Sequence, residues 1–363
     1  MPSHEVRGHY ERHPYPHYPL ISSVRRRDTY ALNLQALWAR FNGVFLPPQE
    51  GRILIAGSGS FAPYTMSVAN PRTQVTALDL AGSNLCRARL HCLLHGRRNV
   101  RFLQGDLLDL KAAPGPFHFI DSFGVLHHLD DPAAGLHALE CRLSPGGILR
   151  VMVYGRYARR EAESIRRGVK LLGIDNISKL KQLFARAKPE SRIRSYLDNS
   201  WEARSDSGLA DLFLHPRVHT YRIDEFLAMV SQSRLQPLLF AHARALSDPP
   251  AEIERLRELD RRKETPTNII CYLGLDTRGP CPPDGNALLC LNPCLDTTVS
   301  TFHPCPVEIA PRLGFENPPL DFAARRFLRR FRTAAPASIF SEDELLIARS
   351  YLDALFMMAC RAE

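Results

Sequence analysis

The chain has 363 residues, 45% hydrophobic and 23% charged, which is the balance of a globular protein with a full core and excludes a disordered or membrane-embedded one. No run of about eighteen apolar residues occurs, and the opening MPSHEVRGHYERHPYPHYPL has no apolar h-region, so neither a membrane span nor a secretory leader is expected. The formal net charge is +9, and with only six lysines the excess is almost all arginine. A general arginine bias explains that; an anionic partner is the sharper alternative.

Residues 1–50 form a lead-in. YERHPYPHYPLI is rich in proline and aromatics and reads as extended chain, a lid over the next domain. Leu32, Leu34, Leu37, Trp38 and Phe41 then recur at helical spacing. From 51 to 155 the signals alternate. Strands fall at RILIAG, QVTALDL, VRFLQGDL, FHFIDSFGV and ILRVMVYG, and helices at APYTMSVAN, AGSNLCRARLHCLLHG and PAAGLHALECRL. This order predicts an α/β domain with a doubly wound, mostly parallel sheet.

Residues 156–220 interrupt the pattern as a helical insert: RREAESIRRGVKLLGI and ISKLKQLFARA read as helices, followed by a polar loop. Between 156 and 205 thirteen Arg and Lys stand against six Asp and Glu, so most of the net charge lies here. A solvated helical face accounts for it; RNA or an acidic substrate is the alternative. RIDEFLAMVSQSR is a further helix, and LQPLLFAHA and TNIICYLGLD are two strands that close the sheet as an antiparallel hairpin, ending the domain 51–276. RGPCPPDG reads as a linker. Residues 284–363 carry the helical patterns PLDFAARRFLRRF and SEDELLIARSYLDALFMMACRA, which predict a small α-rich C-terminal appendage.

The chemistry gathers at strand ends. ILIAGSGSFAPYT places Gly57, Ser58 and Gly59 after the first strand, where the backbone turns sharply and a Cβ would block a ligand. Asp79 ends the second strand and suits a pair of ribose hydroxyls, with Leu80 beside it; helix capping is its plain alternative. Asp106, in QGDL at the third strand end, suits an exocyclic amine of adenine, or else a turn. GSGSFA also satisfies the dinucleotide pattern with Ala62 in sixth place, which keeps a NAD-dependent dehydrogenase in play.

The downstream run FIDSFGVLHHLDDPAAGLHALECRLSPGGILRVMVY separates the two. It resembles the fourth and fifth strand region of class I S-adenosylmethionine-dependent methyltransferases, where a VLHHL-type turn, a helix and an L-x-PGG turn follow in order. ILIAGSGS, VTALDL and VRFLQGDLLDL fall in matching order, and the resemblance covers about residues 10–276. RHPYPHYPL is similar to the NPYPRW-like lead of some bacterial members. The resemblance implies a Rossmann-like fold and S-adenosylmethionine as cofactor. It implies that Gly57–Gly59 hold the methionine part, Asp79 the ribose, and Asp106 with Leu107 the adenine, while Ser122, Phe123 and Gly124 line the methyl-transfer channel. Two positions depart from the family: Phe61 replaces the third glycine, and Ile55 or Ala56 the acid that precedes the loop. Phe61 is expected to pack into the helix–sheet interface rather than crowd the cofactor.

A sulfonium methyl needs an aligned nucleophile in a dry site, and a base only where the nucleophile loses a proton. His127 and His128 are the candidate bases, a structural role for each being the alternative. No NPPY or DPPY motif occurs at this place, which disfavours amino-group methylation of adenine or glutamine. Cys281, Cys290, Cys294 and Cys305 with His303 have irregular spacing for zinc, so packing thiols and no metal are expected there. Nine cysteines without a leader read as reduced thiols of a cytoplasmic protein. The expected partner is a small molecule with an O, N or acidic C nucleophile. An RNA or protein substrate, and a non-catalytic scaffold, are the alternatives.

Overall fold

The computed structural model describes residues 2–47, 49–302 and 304–361. The lead-in forms α1 (Pro2–Arg12), an extended segment, a 3-10 turn (Arg26–Leu32) and α2 (Leu34–Asn42). Tyr10 to Arg12, expected in extended chain, complete α1 instead. The single helix read across Leu32–Phe41 is broken at Asn33, whose side chain caps α2 by accepting from Ala36 N.

The alternating region comes next as β1 (Arg52–Ala56), α3 (Ala62–Ala69), β2 (Gln74–Asp79), α4 (Gly82–Leu94), β3 (Val100–Gln104), β4 (Phe117–Phe123), α5 (Pro132–Glu140) and β5 (Leu143–Val153). The insert holds α6 (Arg160–Leu171), α7 (Ile177–Ala185), α8 (Arg192–Asn199) and α9 (Asp206–Phe213). Then come α10 (Ile223–Val230), β6 (Gln236–Phe240), α11 (Pro249–Arg262) and β7 (Ile269–Gly274). The seven strands form one sheet in the order β3-β2-β1-β4-β5-β7-β6. Strands β1 to β5 pair in parallel, and β7 runs antiparallel to both β5 and β6. The strand order reverses between β1 and β4, so their C-terminal ends open the crevice where ligands of such sheets bind.

Strand periodicity divides the core. Ile53 and Ile55 of β1 face a core with Leu34, Leu37 and Trp38, whereas Leu54 and Ala56 face one with Leu136, Leu139 and Phe226. The first core continues into Leu289, Phe356 and Met357, so the C-terminal region shares its interior with the lead-in and one sheet face.

That region corrects the α-rich expectation. It contains β8 (Ala287–Leu291), α12 (Asp296–Ser300), α13 (Phe322–Arg329), β9 (Ala335–Pro336), α14 (Glu342–Asp353) and β10 (Met357–Arg361). The three strands form an antiparallel sheet in the order β10-β8-β9. The helix read through MMACRA ends at Asp353 because Leu355 takes a left-handed φ of 58° and turns the chain back. Met357 to Cys360 are all buried, and a short apolar run of that kind carries no period to tell strand from helix. The polar loop expected late in the insert likewise contains α8 and α9, and most of α9, from Ser207 to Phe213, is buried.

Candidate active site

The glycine turn lies where the sheet order reverses. Gly57 and Gly59 have φ of 73° and 55°, in the region that other residues enter at a cost. Gly57 N and Ser58 N both donate to Leu78 O, at 2.8 and 2.9 Å, which locks the turn to β2. Asp79 is buried and serves as the clamp of this corner. Its Oδ2 accepts from Gly59 N at 2.7 Å, and its Oδ1 accepts from Ala81 N at 2.9 Å and Asn84 Nδ2 at 3.3 Å. Burial raises its pKa, and the three donors oppose that. A carboxylate has about four lone-pair sites, so one remains on Oδ2 for a further donor.

The extended part of the lead-in lies directly over this turn. Tyr15 O accepts from Ser60 N at 3.1 Å, Pro16 O accepts from the Ser60 hydroxyl, and Tyr15 N donates to Asn84 Oδ1 at 3.0 Å. A Cβ at Gly59 would stand 2.8 Å from Tyr15 O, so this glycine is required by the strap as much as by any ligand. The Glu11 carboxylate accepts from Gly82 N and Ser83 N at 2.7 and 3.0 Å. It thus caps α4, the task that the sequence offered to Asp79.

Asp106 starts a turn, its Oδ1 accepting from Leu108 N at 2.9 Å; Leu107 is buried and Leu80 partly so. Phe61 packs among aromatic rings, 4.3 Å from Tyr18, 5.1 Å from His91 and 5.7 Å from Tyr64 by ring centroids. The ring therefore ties α3, α4 and the strap together.

The end of β4 has a different character. Ser122 is fully buried, and its hydroxyl has no hydrogen-bond partner among the described residues. Phe123 is exposed, with the Arg150 guanidinium 4.8 Å from its ring; that guanidinium makes a bidentate pair with Asp121. Gly124 has φ 83°. His127 is fully buried and stacked 3.7 Å from Tyr154, and burial pushes its pKa far down. Tyr154 also meets the Arg159 guanidinium at 3.8 Å, which pairs with Glu202.

His128 faces the other way. Its Nδ1 lies 2.8 Å from Arg217 O and its ring 3.8 Å from His215. Asp211 of α9 accepts from the Tyr10 hydroxyl at 2.9 Å and from that of Tyr154 at 3.4 Å. The lead-in, the turn after β4 and the insert thus bring Tyr10, His128, Tyr154, Asp211 and His215 together in one buried polar cluster. Burial lowers the pKa of His128 and His215 and raises that of Asp211.

Sequence reasoning missed Tyr10, Asp211, His215 and Glu11, and it read the insert as a solvated basic surface. Much of that charge is paired within the insert, as in Arg159–Glu202, Arg166–Glu163 and Lys181–Asp206. The available signal was histidine density in RGHYERHP and LHPRVH. Among the cysteines, Cys281, Cys290 and Cys294 are buried and Cys305 is exposed; His303 lies outside the described residues.

Residues 54–147 match the family model of a methyltransferase domain. With the strand order above, this identifies the chain as carrying a class I S-adenosylmethionine-dependent methyltransferase domain, and S-adenosylmethionine is the cofactor of that class. An uncharacterised protein of a Synechococcus species is 28% identical over 301 residues, covering 75% of this chain and 71% of its own. The ubiquinone biosynthesis O-methyltransferase of Xanthomonas euvesicatoria is 36% identical over 106 residues, 29% of this chain. The chain spans only 44% of the length of that relative. Among solved structures, PKMT2 from Rickettsia typhi is similar in fold, with a TM-score of 0.57 at 12% identity over 96% of this chain and 78% of that one. The same protein has been solved in complex with AdoHcy, with a TM-score of 0.56 to this chain at 13% identity.

Proposed function

We propose that this protein methylates a small molecule at an oxygen, nitrogen or acidic carbon, with S-adenosylmethionine as the donor. The residues of the crevice suit that cofactor. Gly57, Ser58 and Gly59 would hold its methionine part, Asp79 with Leu80 a ribose hydroxyl through the remaining Oδ2 position, and Asp106 with Leu107 the adenine. Ser122, Phe123 and Gly124 would flank the methyl group, the buried and unpartnered Ser122 hydroxyl being the atom in search of a partner. When bound, the cofactor supplies an electrophilic methyl on a sulfonium.

The buried polar cluster beyond carries the substrate reading. Helices α1 and α9 meet there through the Tyr10–Asp211 hydrogen bond, which puts polar groups beside the end of β4. Of the two candidate histidines, His127 forms a wall stacked on Tyr154. His128 has its Nδ1 on the Arg217 carbonyl, so the proton sits there and Nε2 presents a lone pair to the acceptor. Its lowered pKa keeps that nitrogen unprotonated at neutral pH.

The test is a methyl-transfer assay with labelled S-adenosylmethionine and a fractionated cell extract. Label in the low-molecular-weight fraction is expected. Label confined to RNA or protein would overturn the small-molecule reading.

A further inference from the structure

The buried cluster holds polar atoms that the methyltransferase reading does not use. His215 is 3% exposed and, among the described residues, its Nε2 has no hydrogen-bond partner; nor has Nε2 of the nearby His9, 4% exposed. Imidazole nitrogens left bare in an interior are costly, and such sites call for a missing partner. Both His128 Nδ1 and His215 Nδ1 lie on one acceptor, Arg217 O, at 2.8 and 2.5 Å. A carbonyl only accepts, so His128 carries its proton on Nδ1 and presents Nε2 as a lone pair; His215 Nδ1 also faces Arg217 N, which donates to it at 3.1 Å, so both backbone groups of Arg217 hold that ring. Asp211 adds a carboxylate four residues before His215, and one ligand atom from each of the three side chains lies within 4.8 Å of the others.

We infer that His128, Asp211 and His215 form a binding site for one divalent transition-metal ion, zinc by ligand class. Imidazoles that bind metals donate their other N–H to a carbonyl or carboxylate, the arrangement that Arg217 O provides for His128, and the same carbonyl lies beside His215 Nδ1. The Tyr10 hydroxyl supports Asp211 in the same manner. Two imidazoles and one carboxylate suit zinc or its first-row neighbours, whereas magnesium and calcium prefer oxygen donors throughout. Three protein ligands leave a position for water or for an acceptor oxygen, and the His9 ring, 4.9 Å from that of His215, is a further nitrogen donor close by. The metal site does not depend on the cofactor assignment. With the ion bound His128 is a ligand, and the base role described above belongs to the metal-free protein.

The experiment uses untagged full-length protein, stripped with a chelator and titrated with Zn(II) and, for its visible spectrum, Co(II). One equivalent is expected to bind. His215→Gln and Asp211→Asn should weaken binding by more than the roughly 10–100-fold that a lost outer partner costs, and Tyr10→Phe should fall within that range. His137→Gln, at an exposed histidine, should change nothing. Tyr10→Phe removes a single hydroxyl, which keeps the test clear of folding failure. Binding of S-adenosylhomocysteine, measured on each protein, reports an intact crevice. Cofactor binding without stoichiometric metal would overturn the metal site and spare the methyltransferase reading, and metal binding without cofactor would do the reverse. Metal affinity equal in wild type, His215→Gln and Asp211→Asn would also overturn the site.

Discussion

The glycine corner at the ends of β1 and β2 and the histidine cluster after β4 treat buried polar atoms in opposite ways. At the ends of β1 and β2, Asp79 takes three donors and the glycine turn is tied to Leu78 O and Tyr15 O. Around the end of β4, Ser122, His127, His215 and His9 keep buried atoms without partners among the described residues. A corner closed by its own backbone is built before any ligand arrives. A buried cluster with orphaned nitrogens and a bare hydroxyl is where a bound group or an ordered water would be expected to supply partners.

His128→Ala should divide the two regions most sharply. Turnover is expected to fall by about 10²–10⁴-fold, while S-adenosylhomocysteine affinity stays unchanged. A parallel loss of affinity would mean that the two regions act as one. Acid should also find the histidine cluster first. Burial holds His127 and His215 well down, lowers His128, and puts His9 at about 3, against an ordinary value of 6.5. The unfolded chain then binds more protons below that value, so stability falls as pH drops and keeps falling toward about pH 3. Denaturant midpoints of the metal-free protein, followed downward from neutral pH, would show it; midpoints flat through the histidine range would contradict the buried cluster.

In the crevice the effects are smaller. Asp79→Ala should weaken cofactor binding by about 1–3 kcal/mol, and calorimetry would detect it. Some of that loss will come from the freed glycine loop, so Asp79→Asn, which can keep part of the clamp, should cost less. Phe61→Ala should lower stability by about 2 kcal/mol, less than a fully buried ring, with little change in affinity. Tighter cofactor binding with an unchanged melting temperature would show that Phe61 crowds the turn. RNA binding should be weak, with a shallow salt slope, because much of the insert's charge is already paired.

How much the sequence discloses divides along the same line. The crevice is local in sequence: each strand runs into its own turn, so the order of β1 to β5, the glycine turn and Asp79 can all be read from spacing. The sharing of tasks there cannot, since Glu11, 71 residues from Gly82, caps α4 and leaves Asp79 to clamp the loop. The histidine cluster is assembled from distant pieces. Tyr10 meets Asp211 across 201 residues, and His128 meets Arg217 O across 89. No periodicity links such positions, and the short α9 is hidden in a stretch that reads as polar loop. The C-terminal strands are illegible because ALLCL and MMACR are too short to show a period.

The central claim is that the reversal point between β1 and β4 holds S-adenosylmethionine. Titration calorimetry of the full chain with S-adenosylhomocysteine, and separately with NADH, tests it most directly. The account predicts one S-adenosylhomocysteine per chain and no heat of binding for NADH. Saturable NADH binding with none for S-adenosylhomocysteine would contradict it.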